Sequence, residues 1–78
     1  MWRKLSTPEY NRSRVHLTPA QRIAIAELVS RLQADPSDEI FNPVLVDRDT
    51  REVGVAGVWV RYRLRPRTKE MVFLTVSN

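Results

Sequence analysis

The chain has 78 residues, with 13 lysines and arginines against 9 acids, one histidine (His16) and no cysteine. That length supports one domain, 1–78, because two units would each be too short to bury a core. Without thiols there are no disulfides, and a single histidine leaves a zinc site short of ligands, so packing or a partner chain must hold the fold.

Trp2 to Leu5 predicts a short opening strand, with Trp2 packed against the last strand of the sheet as core or interface. Ser6-Thr7-Pro8-Glu9 predicts a helix start: a hydroxyl cap, a proline whose missing N–H costs nothing in the first turn, and an acid at the positive helix end. This helix should run to about His16. Thr18-Pro19-Ala20-Gln21 is a stronger start, since Thr18 and Gln21 can satisfy each other's backbone N–H groups. Ile25, Leu28, Val29 and Leu32 then follow the i, i+3, i+4, i+7 spacing of one helix face, with Glu27, Ser30 and Arg31 opposite. Ile23 projects off that stripe, and either the first helix covers it or it belongs to a partner-binding patch. Asp35-Pro36 ends the helix, because a residue before proline is driven out of the helical region.

Residues 36–43 hold two prolines and no periodicity, which predicts a loop anchored by Ile40 and Phe41. Beyond it the period changes to two. Val44-Leu45-Val46 is a strand or an extended lead-in, Asp47 to Thr50 a turn, and Glu52 to Val55 a strand. Ala56-Gly57 is a tight turn, Val58 to Arg65 a strand, Pro66 to Lys69 a turn, and Met71 to Val76 a final strand. The expected class is α+β: a short N-terminal strand, two helices, then a small antiparallel sheet.

Charge is unevenly placed along this order. Residues 1–17 carry a net +3, residues 18–57 a net −3 and residues 58–78 a net +4. A basic end of that kind favours an anionic partner. In the strand from Val58, alternation puts Val58, Val60, Tyr62 and Leu64 on one face and Trp59, Arg61, Arg63 and Arg65 on the other. Arg67 and Lys69 extend the charge into the next turn. The row is either a solvated face that blunts an edge, or a nucleic-acid surface in which arginines track phosphates and Trp59 stacks on a base. Three arginines with no acid between them repel one another unless an anion is present, which favours the second reading.

Other chemistry is sparse. No serine or carboxylate stands at a spacing that makes a relay with His16, so it is expected at the surface or a helix end. Gly54 and Gly57 are the only glycines, too few for a phosphate-cradling loop. Asp47, Asp49 and Glu52 fill too few positions of a cation loop and are expected as acids of a turn. No catalytic set, metal site or cofactor emerges. No stretch approaches the roughly 20 apolar residues of a membrane helix, and Met1-Trp2-Arg3-Lys4-Leu5 lacks a leader's apolar run, so a cytoplasmic protein is expected.

Taken in order, strand, helix, capped helix and antiparallel strands, the chain resembles the RelE/ParE superfamily of bacterial toxins. Arg31-Leu32-Gln33-Ala34-Asp35-Pro36 is similar to the exit of that family's second helix. The run from Glu52 through Gly54, Gly57 and Trp59 to Leu64 is similar to its central hairpin, and Met71 to Val76 to its final strand. The resemblance implies the toxin half of a toxin–antitoxin pair, neutralised by a cognate antitoxin. It implies one of two targets: mRNA in the ribosome, as in RelE, or DNA gyrase, inhibited without catalysis, as in ParE. A small nucleic-acid-binding module without toxin activity is the remaining alternative.

In the nucleases of the family, cationic side chains stabilise the scissile phosphate while a base activates the 2′-hydroxyl. Trp59 stands here where those enzymes often carry arginine, and the sequence ends at Ser77-Asn78 without their C-terminal basic and aromatic residues. Arg51, Glu52 and Arg61 are the residues left to serve, and cleavage stays open. The expected nucleic-acid-binding set is Arg51, Trp59, Arg61, Arg63, Arg65, Arg67 and Lys69.

Overall fold

The computed structural model describes residues 1–78. Along the chain run strand β1 (Arg3–Ser6), helix α1 (Pro8–Ser13), helix α2 (Pro19–Ala34), and strands β2 (Val44–Leu45), β3 (Thr50–Val55), β4 (Val58–Arg65) and β5 (Glu70–Ser77). Arg14–His16 and Glu39–Phe41 form 3-10 turns.

The strands make one sheet in the order β1-β5-β4-β3-β2. β2 to β5 form an antiparallel meander, but β1 lies parallel to β5, with Arg3 opposite Glu70 and Leu5 opposite Val72. The C-terminal strands are antiparallel as expected, and the opening strand makes the sheet mixed by adding one parallel pair. Everything between β1 and β5 acts as one long crossover, which leaves the chain free to return in the same direction.

Thr7 shows how local chemistry fixes the first helix. Its Oγ1 accepts from the Tyr10 N–H at 3.1 Å and donates to the Leu74 carbonyl at 2.8 Å. The Thr7 N–H donates to the Phe73 carbonyl at 3.1 Å, so the helix cap is also a clamp on β5. α1 lasts only to Ser13, and the remainder of the expected helix tightens into the 3-10 turn. Ser13 bonds both ways, its Oγ donating to the Tyr10 carbonyl at 2.8 Å and accepting from the Val76 N–H at 3.1 Å.

Both halves of the Thr18–Gln21 capping box form, at 3.2 and 3.0 Å. Gln21 Nε2 also reaches the Ala56 carbonyl at 3.2 Å, tying the helix start to the β3–β4 turn. Ile25, Leu28, Val29 and Leu32 are buried as their spacing requires, and Asp35 leaves the helix in an extended conformation.

These side chains join Tyr10, Val53, Val58, Val60, Tyr62, Met71, Phe73 and Val76 in one core on the helix-covered face of the sheet. Phe73 sits between two tilted rings, 5.5 Å from Tyr10 and 5.7 Å from Tyr62 by centroids. Each large side chain buried here contributes about 1.5–3 kcal/mol of transfer free energy.

Of three peripheral residues, only Ile40 departs from expectation. Ile23 is 69% exposed, so α1 does not cover it. Ile40 is 60% exposed, leaving Phe41 as the loop residue packed on the core. Trp2 packs on the core while its backbone is bracketed by α2: its N–H donates to the Gln33 carbonyl at 3.1 Å, and Gln33 Nε2 donates to its carbonyl at 3.1 Å.

Candidate nucleic-acid interface

The face of the sheet away from the helices is organised by β4. Val58, Val60 and Tyr62 are buried and Leu64 half-buried, while Trp59, Arg61, Arg63 and Arg65 are all exposed. An arginine every second residue spans about 14 Å from position 61 to 65 at ordinary strand rise.

Register supplies the neighbours. β3 places Thr50, Glu52 and Gly54 opposite Arg63, Arg61 and Trp59, and β5 places Thr75 and Glu70 opposite Arg61 and Arg65. The missing side chain at Gly54 makes room for the indole, since a Cβ there would lie 3.2 Å from Trp59 Cζ3. Trp59 is thus propped flat against β3 with 44% of its surface open. A ring held in this way offers a face for stacking.

The arginines differ in how they are compensated. Glu52 Oε2 accepts from Arg61 Nε at 2.9 Å and lies 2.8 Å from its Nη2. Glu70 pairs with Arg3 and, at 3.8 Å, with Arg65. A hydrogen bond from the Thr68 hydroxyl, then one from Arg3, hold the Glu70 carboxyl below the usual glutamate range against the opposing effect of burial. Arg63 makes no ion pair; its Nε donates to the Thr50 hydroxyl at 3.2 Å, and the Asp47 carboxyl, held below its usual range first by hydrogen bonds from Asp49 and Thr50, also feels its charge. The repulsion inferred from sequence is therefore relieved at both ends of the row by acids on neighbouring strands. It is least relieved at Arg63, the one arginine of the three without an ion pair.

A cleft of about 510 Å³ adjoins the row, lined by Thr7, Glu9, Arg12, Arg61, Leu74 and Thr75 among others. A bulge builds it: Arg61 is opposite Thr75 and Tyr62 opposite Phe73, so Leu74 is an extra residue in β5. Bulges of this kind re-aim side chains. The Thr7 hydroxyl holds the Leu74 carbonyl, bringing α1 and Arg12 beside Arg61. Two guanidinium groups and the Glu9 carboxylate thus line one cleft, a composition suited to holding a phosphate next to a base. Arg12 and Glu9 were absent from the set drawn from sequence. Only their membership of the basic N-terminal segment hinted at them, and nothing in the sequence locates the bulge.

Arg51 does not join the row. It pairs in register with Tyr62 and so lies on the helix-covered face. There its charge works against the burial that pushes the Tyr62 phenol up, and the Tyr62 hydroxyl is buried without a partner. Arg67 borders a second hollow of about 380 Å³ with Arg63 and Arg65 at the β4–β5 turn. Lys69 is exposed in the same turn, where its carbonyl accepts from the Arg3 N–H at 2.8 Å. Asp47 spends its carboxylate on the turn, accepting from the Asp49 and Thr50 N–H groups at 3.0 and 2.9 Å. His16 is exposed at the end of the first 3-10 turn.

No protein-family model matches the sequence, and no curated protein is a detectable relative. Solved structures do match. Over its whole length the chain is similar to a chain of the intact E. coli RelBE toxin–antitoxin complex, with a TM-score of 0.85, 10% identity and 96% of that chain covered. It is similar to the archaeal RelE–RelB complex of Pyrococcus horikoshii OT3, with a TM-score of 0.83 and 15% identity, covering 97% of this chain and 92% of the other. It is also similar to the toxin–antitoxin complex RelBE2 of Mycobacterium tuberculosis, with a TM-score of 0.80 and 18% identity, covering 99% and 96%. The protein has the RelE fold.

Proposed function

We propose that the protein is the toxin half of a RelE-type toxin–antitoxin pair and acts on translation by binding mRNA within the ribosome in the cytoplasm. The observation that carries this reading is the exposed row of Trp59, Arg61, Arg63 and Arg65 on the open face of a RelE fold, with Arg63 outside any ion pair. Backbone phosphates meet the guanidinium groups, a base stacks on the propped indole, and the cleft between Arg12 and Arg61 takes the adjoining phosphate. A cognate antitoxin is the expected protein partner, as the RelBE and RelE–RelB complexes of similar fold suggest.

Chemistry at the cleft would follow the same geometry. Arg12 and Arg61 would stabilise charge building on a phosphate while Glu9 takes the proton of a 2′-hydroxyl. The 2′ oxygen would bond to phosphorus to give a 2′,3′-cyclic phosphate as the bond to the 5′ oxygen breaks, and the 5′ oxygen would take its proton from water.

Induced expression of the intact chain in a bacterial host, followed by a purified translation reaction with a defined message, tests the proposal. Growth should stop, protein synthesis should fall, and the double change Arg61→Gln with Arg63→Gln should relieve both. Normal synthesis at saturating protein would overturn it. Message cut only when the ribosome is present would add the nuclease step, and intact message with arrested synthesis would limit the action to binding.

A further inference from the structure

β1 carries two neighbouring cations to opposite sides of the sheet. Arg3 pairs with Glu70 on the open face, whereas Lys4 pairs in register with Met71 and lies on the helix-covered side. There Lys4, Tyr10 and Arg14 line a surface cleft of about 240 Å³, whose far wall is Ile25, Ala26, Val29, Ser30 and Gln33 of α2. Lys4 Nζ is 5.8 Å and Arg14 Cζ 5.5 Å from the centroid of the Tyr10 ring.

The three ion pairs of the molecule all lie elsewhere, so neither cation has an acid. Arg14 Nε is buried and has no acceptor. Burial first, and then the charge of Arg14, hold the Lys4 ammonium below its ordinary pKa. Two partly desolvated like charges on one ring destabilise the empty cleft, and an acceptor-only anion removes that cost.

The walls narrow the choice of anion. A bare phosphate would lose its water against Ile25, Ala26 and Val29 without gaining donors from them. A carboxylate on a short aliphatic stem satisfies both halves of the cleft, and the volume admits a single side chain. The cleft is open at the surface of a chain of net charge +4, which draws acidic partners towards it.

We propose that this cleft docks a glutamate side chain of an acidic partner polypeptide, held between Lys4 and Arg14 with its stem on the α2 wall. The cleft is on the other side of the sheet from the arginine row, so the inference stands without the nucleic-acid reading, and both surfaces can be occupied together.

Amide chemical shifts of the intact chain, titrated with the capped peptide acetyl-Leu-Glu-Leu-amide, test it. Shifts should saturate at Lys4, Tyr10, Arg14, Ser30 and Gln33. The counterpart acetyl-Leu-Gln-Leu-amide should bind at least tenfold more weakly, a comparison that needs no mutation. Lys4→Met, which keeps the stem, and Arg14→Gln should each weaken the glutamate peptide by tenfold or more.

Four results would overturn the proposal: equal binding of the two peptides, no saturable shift, shifts centred on Arg61 and Arg63, or butyrate or inorganic phosphate saturating the cleft as tightly as the peptide. The last result would make it a free-anion site.

Discussion

Glu52→Gln separates a working phosphate surface from a merely solvated one. Glu52 holds Arg61 through contacts of 2.9 and 2.8 Å, whereas Arg63 has only the Thr50 hydroxyl. An arriving phosphate must displace Glu52 to engage Arg61, yet finds Arg63 free. The side chains of this pair are 44% and 26% exposed, so the pair is worth about 0.2–1 kcal/mol. Removing the acid returns that energy to RNA binding and also lifts a repulsion, so affinity should rise by up to about fivefold. Salt dependence gives a second measure, since each phosphate neutralised on a single strand contributes about 0.7 to the slope of log K against log salt. Arg63→Gln should lower the slope by about 0.7, whereas Arg61→Gln should lower it by less while Glu52 is present and by about 0.7 in the Glu52→Gln background. Fluorescence anisotropy of a labelled single-stranded RNA, repeated across salt concentrations, reads all four variants. Unchanged or weaker binding by Glu52→Gln, together with an unchanged slope for Arg63→Gln, would refute the reasoning and leave the row a solvated face.

Three further outcomes follow from the fold. Ala56 and Gly57 form a two-residue turn with φ of +52° and +81°, and asparagine tolerates the left-handed region better than alanine. Ala56→Asn should therefore stabilise the hairpin by about 0.5–1 kcal/mol, seen as a Tm a few degrees higher in a thermal melt. Leu28 is fully buried, and Leu28→Ala should cost about 2–5 kcal/mol in urea unfolding, a large part of the total stability of a chain this small. The folded Glu70 carboxyl titrates below its ordinary range, so its contribution is complete above the unfolded value of about 4.3 and fades as pH falls through the lower folded value. Unfolding followed against pH should show Glu70→Gln less stable at neutrality and less sensitive to acid over that window.

What the sequence disclosed follows a physical division. The α2 boundaries, the buried stripe and the full extent of β4 were legible because each rests on contacts within a few residues: a capping box, a helical period, a strand alternation. The opening strand was expected against the last strand, but its parallel direction was not legible, since nothing in four residues states which way they run along an edge. Arg51 was misplaced for a related reason. Its face depends on the register between β3 and β4, where a shift of one residue exchanges the two sides of a strand. The acids beside Arg61 and Arg65 were visible as residues but not as partners, because Glu52 and Glu70 meet the row only through cross-strand pairing. Arg12 needed still more, as it reaches the cleft through the clamp of Thr7 on the Leu74 bulge.

That division also explains how a chain can share a fold with proteins to which it is 10–18% identical. The inward positions of β3, β4, β5 and α2 need only apolar side chains of suitable size and period, a demand that many sequences meet. The outward positions of β4 are exposed and far less constrained by packing. Trp59, Arg61 and Arg63 could be exchanged for other solvated residues with little effect on the core, so the fold does not account for their presence. The fold fixes where a functional surface would lie, and the residues on that surface must carry the argument for what it does. Among those residues Arg63 stands out, an exposed guanidinium flanked by two arginines and, unlike them, joined to no acid by an ion pair.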